Sequence, residues 1–235
     1  MCVPYVPEKA ELLGRVLTDR GYLSFPSTWL TVLDVDWPDF DGYLGTLSGD
    51  RRRRILRERR EVSEAGFEVE VVPLRPADVI ELELLKGNVD AKYHGERARQ
   101  APSPTSPLAL SAAGPVGDPV ISRARLAGRT VGFALAYQHG AELHIDQVGF
   151  DHDVVAGLPV HFEVMYYRFV EHAARRGLRR IYFGPTAYQA KLRRGCRIEP
   201  CRCYVLPRDP EVRRALEQFT ATMDPVELTT TVLRH

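Results

Sequence analysis

The spacing of apolar residues predicts a chain that changes repeatedly between helix and strand. A short helix and a strand are predicted near the N-terminus, in PEKAELLGRVLTDRGY and STWLTVLDV. Spacings of three and four from Phe40 to Val62 predict a longer helix. The segment 67–74, FEVEVVPL, alternates apolar and acidic residues, which predicts a strand with one solvent-facing side. A second long helix is predicted from Pro76 to His94, because proline is well tolerated in a first helical turn.

Three consecutive strands are predicted in the middle of the chain, in PVISRARLAG, RTVGFALAYQ and AELHIDQVGFD. The His139-Gly140 pair between the second and third strands is typical of a hairpin turn. An amphipathic helix ending at Gly177 follows, and then a strand, a short helix, a strand and a final helix. This order predicts an α/β fold of the α+β type, with a mixed central sheet that contains an antiparallel meander and is flanked by helices.

Residues 95–118 interrupt this pattern. They are rich in Pro, Ser, Ala and Gly, which predicts a mobile loop that could act as a lid. Because strands and helices resume after it, the loop is not expected to separate two domains. We therefore predict one domain over residues 1–235, with a C-terminal helix and tail over 207–235.

Composition adds little to this picture. The chain has 235 residues, of which 44% are hydrophobic, and this is enough for a sizeable core. Its net charge of +1 does not by itself require a nucleic-acid partner. No apolar run approaches the roughly 20 residues that a membrane-spanning helix needs, and the N-terminus does not resemble a signal peptide. A cytoplasmic protein without a membrane partner is therefore expected.

Four cysteines are present, at positions 2, 196, 201 and 203. The last three follow the spacing C-x4-C-x-C. Common zinc sites combine two ligand pairs, and the sequence offers no second cysteine pair. We expect reduced, structural cysteines, with a metal site or a disulfide as the alternatives, and no metal or redox cofactor.

Three stretches, taken together, resemble the FemAB-like branch of the GNAT acyltransferase superfamily. LGTLSGDRRRRILRERREVSEAGFEVEV resembles the first helix and following strand of that branch, and KGNVDAKYHG resembles the end of its second helix. GLRRIYFGPTAYQAKLRRGCRI resembles its late strand and helix, so that the stretches cover roughly residues 28–206. The resemblance implies a GNAT-like fold and the transfer of an acyl group to an amine.

The resemblance allows two donors, aminoacyl-tRNA and acyl-CoA. Branch members that build peptidoglycan bridges from aminoacyl-tRNA carry two such domains, whereas this chain has room for about one. A small-molecule or peptide amine is therefore the expected acceptor. GNAT proteins that use acyl-CoA usually hold its pyrophosphate on a loop after the central hairpin, where this chain carries Asp151 and Asp153. Their charge would repel pyrophosphate, which favours aminoacyl-tRNA over acyl-CoA. The alternatives are an acyl-CoA-dependent N-acetyltransferase and a non-catalytic RNA-binding domain.

The predicted strand LHIDQVGF offers the catalytic candidates. His144 and Asp146 should share one face, where an aspartate could hold the substrate ammonium and a histidine could take its proton. The resemblance implies a backbone N–H near Val148 and Gly149 as the oxyanion donor, and a glycine within a strand indicates a bulge or a close ligand approach. The alternatives are a solvated hairpin face and an ordinary strand end.

The late helix offers the candidates for donor binding. Lys191 matches the lysine of the family's late helix, and this implies a place near the donor's phosphates. Tyr188 lies one turn earlier, and Arg194 shares the face of Lys191 at a spacing of three. A solvated helix end is the alternative. Lys92 and Tyr93 close the second helix, where the resemblance implies the border of the acceptor pocket.

The run from Arg51 to Arg60 contains seven arginines, which cannot all share one helical face. Arg51 lies on the stripe of Leu47 and Ile55, so we expect it to be partly buried and to contribute to donor binding. The other arginines could follow a tRNA backbone, or they could form a solvated face.

Overall fold

A computed structural model of the chain describes residues 1–114 and 118–222. In the first half of the chain the elements are β1 (Cys2–Pro7), α1 (Glu11–Asp19), β2 (Leu23–Pro26), β3 (Leu30–Asp34), α2 (Phe40–Gly45), α3 (Gly49–Glu64), β4 (Glu68–Pro73), α4 (Val79–His94) and α5 (Pro107–Ala113). They continue with β5 (Asp118–Leu126), β6 (Arg129–His139), β7 (Glu142–Phe150), α6 (Val160–Phe162), a π-helical segment (Glu163–Tyr167), α7 (Arg168–Arg175), β8 (Arg180–Tyr182), α8 (Tyr188–Leu192), β9 (Arg197–Glu199), β10 (Cys201–Val205) and α9 (Pro210–Thr222).

The larger of two compact units, Asp34–Tyr182, contains a sheet with the strand order β4-β5-β6-β7-β8. The pairs β4–β5, β5–β6 and β6–β7 are antiparallel, and the pair β7–β8 is parallel. The predicted meander is confirmed, and so is its turn, where Gly140 has a φ of +57°. The predicted mixed sheet flanked by helices is confirmed as well.

Strand β6 lies at the centre of this sheet, which explains its nearly unbroken apolar sequence. Phe133 and Leu135 are fully buried on one side, and Ala134 and Ala136 are fully buried on the other. On the side of Phe133, the core cluster consists of side chains from α4, α5 and the sheet: Leu74, Val79, Leu82, Leu85, Leu108, Ile121, Phe133 and Leu135. Helix α4 therefore packs against the sheet, and it also contacts β7, the strand that carries the candidate catalytic residues.

The loop predicted over residues 95–118 contains regular structure. A 3₁₀ turn spans Glu96–Ala98, and α5 follows at Pro107–Ala113. The Ser106 side chain accepts a hydrogen bond from the Ala109 N–H, and proline occupies the first helical position, so the helix has a standard N-terminus. Residues 115–117 lie outside the described part of the chain.

The smaller unit combines Met1–Leu33 with the described residues from Phe183 to Thr222. It contains the antiparallel sheet β1-β10-β2 and an antiparallel pair of strands, β3 and β9. The sequence missed β1 and β2, and it merged β9 and β10, which Pro200 separates. The predicted final helix is confirmed as α9, and residues 223–235 of the predicted tail lie outside the described residues. That the whole chain behaves as one domain stays a prediction.

Candidate functional site

Helix α3 uses its arginines in different ways. Arg52 donates hydrogen bonds to the carbonyl oxygens of Leu44 at 3.1 Å and Leu47 at 3.4 Å, which ties α3 to the end of α2. Arg51 is exposed, so the expectation that it is partly buried was wrong. The expectation assumed one helix running from Leu47 to Ile55, whereas α3 begins only at Gly49.

A cavity of about 630 Å³ opens beside α3 in the larger unit. Three cationic side chains line it, Arg54 and Arg57 from α3 and Lys92 from α4. Arg54 pairs with Glu58 at 2.8 Å, and Arg57 lies 3.6 Å from Glu61. The remaining wall is formed mainly by the end of β7, the loop 155–159 and the helical segment that follows it: Val148, Phe150, His152, His161, Phe162 and Met165.

His152 is the imidazole at the end of β7 in this wall. Its Nδ1 lies 3.4 Å from the Lys92 Nζ. An ammonium group can only donate, so Nδ1 accepts and the neutral ring carries its proton on Nε2. Within the described residues, the buried Nε2 has no hydrogen-bond partner. Burial and then the charge of Lys92 lower the pKa of His152, against the opposing effect of Asp151 and Asp153.

The sequence reasoning missed His152. The available signal was its position two residues after Phe150, the last residue of the third meander strand. The reasoning also chose Arg51 over Arg54 and Arg57, which line the cavity.

Asp151, which we expected to repel a pyrophosphate, is already neutralised. Its carboxylate accepts a hydrogen bond from Arg129 at 2.9 Å and another from the Val154 N–H at 3.3 Å. Neither Asp151 nor Asp153 is among the residues that line the 630 Å³ cavity. The expected repulsion is therefore much weaker at this cavity than the sequence alone indicated.

Strand β7 contains a bulge, but at Asp146 and not at Gly149. Ile145 is paired with Ala136 and Gln147 with Leu135, so that Asp146 is the extra residue. A bulge interrupts the alternation of side chains along a strand, and the shared face predicted for His144 and Asp146 assumed that alternation.

His144 and Asp146 accordingly have different neighbours. The His144 ring stacks on Tyr182 with centroids 4.5 Å apart, and its Nε2 lies 3.5 Å from Glu142. Burial lowers the pKa of His144, against the opposing effect of Glu142. Asp146 is exposed and accepts a hydrogen bond from the side chain of Gln147. Neither residue is among those that line the 630 Å³ cavity, and their catalytic roles stay predictions.

Gly149 allows the backbone of α4 to lie against β7. A Cβ atom at this position would lie 2.4 Å from Phe133 Cε1 and 2.6 Å from both the Leu85 carbonyl carbon and the Lys86 nitrogen. The close approach at Gly149 is thus made by helix α4, whereas the sequence indicated a bulge or a ligand, and the role of this position as an oxyanion donor stays a prediction.

A second cavity, of about 280 Å³, lies along a neighbouring face of α4. Glu83, Lys86 and Asp90 contribute to its wall, together with Gln147 of β7 and residues between 100 and 108. Gln147 and Val148 are consecutive residues of β7, so the two cavities reach neighbouring positions of this strand, immediately after the bulge. Lys92 and Tyr93, which were predicted to bind the acceptor, line the larger cavity and not this one.

Lys191 lies in the smaller unit and is buried. Its Nζ donates hydrogen bonds to the carbonyl oxygens of Phe183 at 2.8 Å, Gly184 at 3.0 Å and Pro185 at 2.7 Å. Burial lowers its pKa to about 8. In this conformation the ammonium group supports the backbone of the preceding loop, and its contact with donor phosphates stays a prediction.

The other two donor-binding candidates of α8 also make contacts within the smaller unit. The Tyr188 hydroxyl donates to the Trp29 carbonyl oxygen at 2.9 Å. Arg194 is buried, and its guanidinium donates to the Ala190 carbonyl oxygen at 3.0 Å. Their predicted roles toward a donor likewise stay predictions.

Two further properties of the described residues bear on function. Among residues 1–114 and 118–222, no three His, Cys, Asp or Glu side chains are arranged to hold a metal ion. None of the helices in the same ranges has the length and apolar character that crossing a bilayer requires.

Comparison with known proteins agrees with the observed fold, which is that of a class of acyl-transferring enzymes. Residues 49–192 match the family model described as an acetyltransferase (GNAT) domain. Since the match covers more than half of the chain, the protein belongs to this family and is an acyltransferase. The resemblance to the GNAT superfamily seen in the sequence is confirmed. No curated protein sequence matches the chain.

Three solved structures share the fold. The C-terminal domain of an Agrobacterium fabrum protein assigned as a lysylphosphatidylglycerol synthetase is 16% identical, with 94% of this chain and 71% of that chain covered and a TM-score of 0.62. L-PGS from Bacillus licheniformis is 14% identical, with coverages of 95% and 73% and a TM-score of 0.60. FemX is 12% identical, with coverages of 91% and 73% and a TM-score of 0.60.

Proposed function

We propose that this acyltransferase transfers an aminoacyl group from aminoacyl-tRNA to an amine on a small molecule or peptide, forming an amide. The observation that carries the proposal is the cavity at the end of β7, whose wall carries Arg54, Arg57 and Lys92 beside the carboxylates of Glu58 and Glu61 and so keeps one more positive than negative side chain. Guanidinium and ammonium groups suit the phosphates at the 3′ end of a tRNA. The name of the Agrobacterium fabrum protein denotes a product that carries a lysyl group, and this supports an aminoacyl donor.

In the proposed reaction, the acceptor nitrogen attacks the ester carbonyl carbon of the donor. A C–N bond forms and the C–O bond to the ribose breaks, while the amine loses a proton and the ribose oxygen gains one. Negative charge develops on the carbonyl oxygen in the transition state. A hydrogen bond donated to this oxygen by the protein stabilises the charge and lowers the activation barrier. The Nε2–H of neutral His152 is the group that we assign to this role, since neutral imidazole can act as such a donor.

The second cavity is the proposed acceptor site. It reaches β7 at Gln147, next to Val148 in the wall of the first cavity. The Glu83 carboxylate in its wall favours an acceptor that arrives as an ammonium ion, whereas Asp90 in the same wall is paired with Lys86 at 2.6 Å. Glu83 also accepts hydrogen bonds from the Ser103 N–H and the Ser106 hydroxyl, and this fixes the segment that closes the cavity.

A second candidate, an acyl-CoA-dependent N-acetyltransferase, is favoured by the loop after β7. Residues 155–159 line the cavity directly before α6, and Gly157 has a φ of +74°, a conformation that glycine adopts without strain. Because Arg129 neutralises Asp151, this loop could approach a pyrophosphate more readily than the sequence indicated.

The test compares binding of charged tRNA and of acetyl-CoA across a salt series, followed by a search for the amide product by mass spectrometry with a panel of amines. Tight binding of charged tRNA that weakens in Arg54→Gln and Arg57→Gln supports aminoacyl transfer. Each lost phosphate contact should reduce the salt slope by about 0.7, the value for single strands. Arg60→Gln is the matched control, because Arg60 is an exposed arginine of the same helix that is not among the cavity residues. Use of acetyl-CoA alone would establish the second candidate, and use of neither donor would overturn both.

A further inference from the structure

A cluster of four charged side chains joins α3 to the helical segment that follows the cavity loop. Arg59 of α3 donates to both carboxylate oxygens of Glu163 at 3.1–3.3 Å, and it pairs with Glu171 at 2.8 Å. Arg168 completes the cluster with ion pairs to Glu163 at 2.9 Å and to Glu171 at 3.0 Å. The Arg59 guanidinium also lies 4.3 Å from the centre of the Phe40 ring.

The cluster is mostly shielded from water. The side chain of Glu163 is 3% exposed and that of Arg59 is 20% exposed. Charges in such surroundings attract each other more strongly than surface charges do, and the planar fork of arginine fixes their geometry. Of the two arginines, Arg59 joins α3 to the helical segment, whereas Arg168 belongs to the same helical segment as both carboxylates.

Both anchored elements form walls of the 630 Å³ cavity. On α3, Arg59 follows the lining residues Arg54 and Arg57, and on the other side Glu163 lies between Phe162 and Met165, which also line the cavity. Glu163 begins the π-helical segment, and π-helical turns within α-helices often occur at functional sites. A hydrogen bond from Tyr167, the last residue of that segment, to Glu58 of α3 adds a parallel connection.

We propose that Arg59 is a positioning residue for the acyl donor, because it holds the arginine-bearing wall of the cavity at a fixed distance from the helical wall. The inference rests on the proposed function, in that the cavity is taken to hold the donor. Arg59 is not among the cavity residues, so its effect on the donor is transmitted through Arg54 and Arg57.

The test uses Arg59→Lys, which keeps the charge but removes the two-pronged contact with Glu163. In Arg59→Lys, KM for the donor that the wild type uses should rise by about tenfold, because small displacements of Arg54 and Arg57 weaken donor binding. The kcat should change by less than about twofold. The matched control is Arg168→Lys, which perturbs the same two carboxylates without crossing to α3, and its KM should stay within about twofold of the wild type. Should Arg59→Lys fail to fold by circular dichroism, Glu171→Gln, which removes one carboxylate partner of Arg59, replaces it.

The possible outcomes are distinct. A purely structural cluster would lower the melting temperature of both variants and leave KM unchanged, and this would overturn the positioning role. If Arg54→Gln and Arg57→Gln raise KM but Arg59→Lys does not, only the role of Arg59 fails. If none of these variants affects KM, the cavity is not the donor site and the proposed function loses its main support.

Discussion

At the scale of single residues, Lys191 combines an ammonium group with a buried position. Its pKa of about 8 in the folded chain lies below its ordinary value of 10.5, because burial disfavours the charged form. Between these two values the unfolded chain binds more protons than the folded chain, so stability should rise with pH. The contribution of neutral Lys191 to the free energy of unfolding is fully present above pH 10.5 and is lost as the pH falls through about 8.

We therefore expect the stability of the wild type, relative to Lys191→Met, to increase by about 3 kcal/mol between pH 7 and pH 10.5. Urea denaturation of both proteins across this range would measure it, and taking the difference removes the titration of other groups. Arg193→Met, a change at an exposed neighbour that does not titrate in this range, should give a difference independent of pH. A flat difference for Lys191→Met would show that its pKa is not lowered by burial.

His152 gives a second prediction at this scale. Because burial and the charge of Lys92 both lower its pKa, NMR titration should find a value below 6.5 and a neutral ring at pH 7. In Lys92→Gln one of these causes is removed, so the pKa of His152 should rise. Lys86→Gln on the same helix, where Lys86 pairs with Asp90 at 2.6 Å, should leave the pKa of His152 unchanged. An unchanged pKa in Lys92→Gln would contradict the contact between the two side chains.

The sequence identified the kinds of residue at the site better than their partners. It placed Lys92 and Tyr93 at the acceptor pocket, which stays a prediction, and both line the larger cavity, which we assign to the donor. It also expected one arginine of α3 to be buried and paired, but chose Arg51, whereas Arg59 is the one that joins the carboxylates of a distant helix. Helical periodicity within one element cannot show which acidic residues of another element come into contact with it.

At the scale of elements, the packing of α4 on β7 depends on Gly149. A methyl group there would overlap the helix backbone, which cannot move aside as a flexible side chain can. We expect Gly149→Ala to lower the free energy of unfolding by about 3 kcal/mol, at the upper end of the usual cost of overpacking. Gly45→Ala is the control, because a Cβ at Gly45 meets nothing within 4 Å, and its effect should be below about 1 kcal/mol. Equal stabilities in urea denaturation would contradict the close packing of α4 on β7.

Strand β7 also shows which features of an element the sequence predicts and which it does not. The three meander strands and their turn were predicted correctly, because hydrophobic runs and a His-Gly turn are local signals. The bulge at Asp146 has no local signal of comparable strength, since it depends on pairing with β6. Helix α5 was missed although Ser106 and Pro107 are a recognisable helix start, because the composition of residues 95–118 dominated the interpretation.

At the scale of the whole molecule, the fold class followed from the order of elements, but the pairing of the chain ends did not. Strand β1 pairs with β10, about 200 residues away, and no short-range pattern links them. Half of the six residues of β1 are exposed, which gives it a weak apolar pattern. The sequence therefore predicted the helices and the central strands well and the terminal sheet poorly.

This pairing of the chain ends places two of the four free cysteines together. The sulfur atoms of Cys2 and Cys203 are 3.4 Å apart, and Cys2 is exposed, whereas Cys196 and Cys201 are buried. Burial and the neighbouring Cys2 raise the pKa of Cys203 to about 11, so at pH 8 only about one part in a thousand of it is thiolate. Since the thiolate is the reactive form, an alkylating reagent such as iodoacetamide should modify Cys2 first, Cys203 slowly, and the buried pair only after unfolding.

The variant Cys2→Ala makes this prediction specific. This variant should abolish the fast phase of thiol modification, which belongs to Cys2. Because Cys2 is one cause of the raised pKa of Cys203, Cys203 should react faster in the variant than in the wild type. Cys201→Ala, which removes a buried thiol, should leave both of the native-state phases in place. If Cys203 reacted at the same rate with and without Cys2, the two thiols would not be in contact, and the register that joins β1 to β10 would have to differ from the one described here.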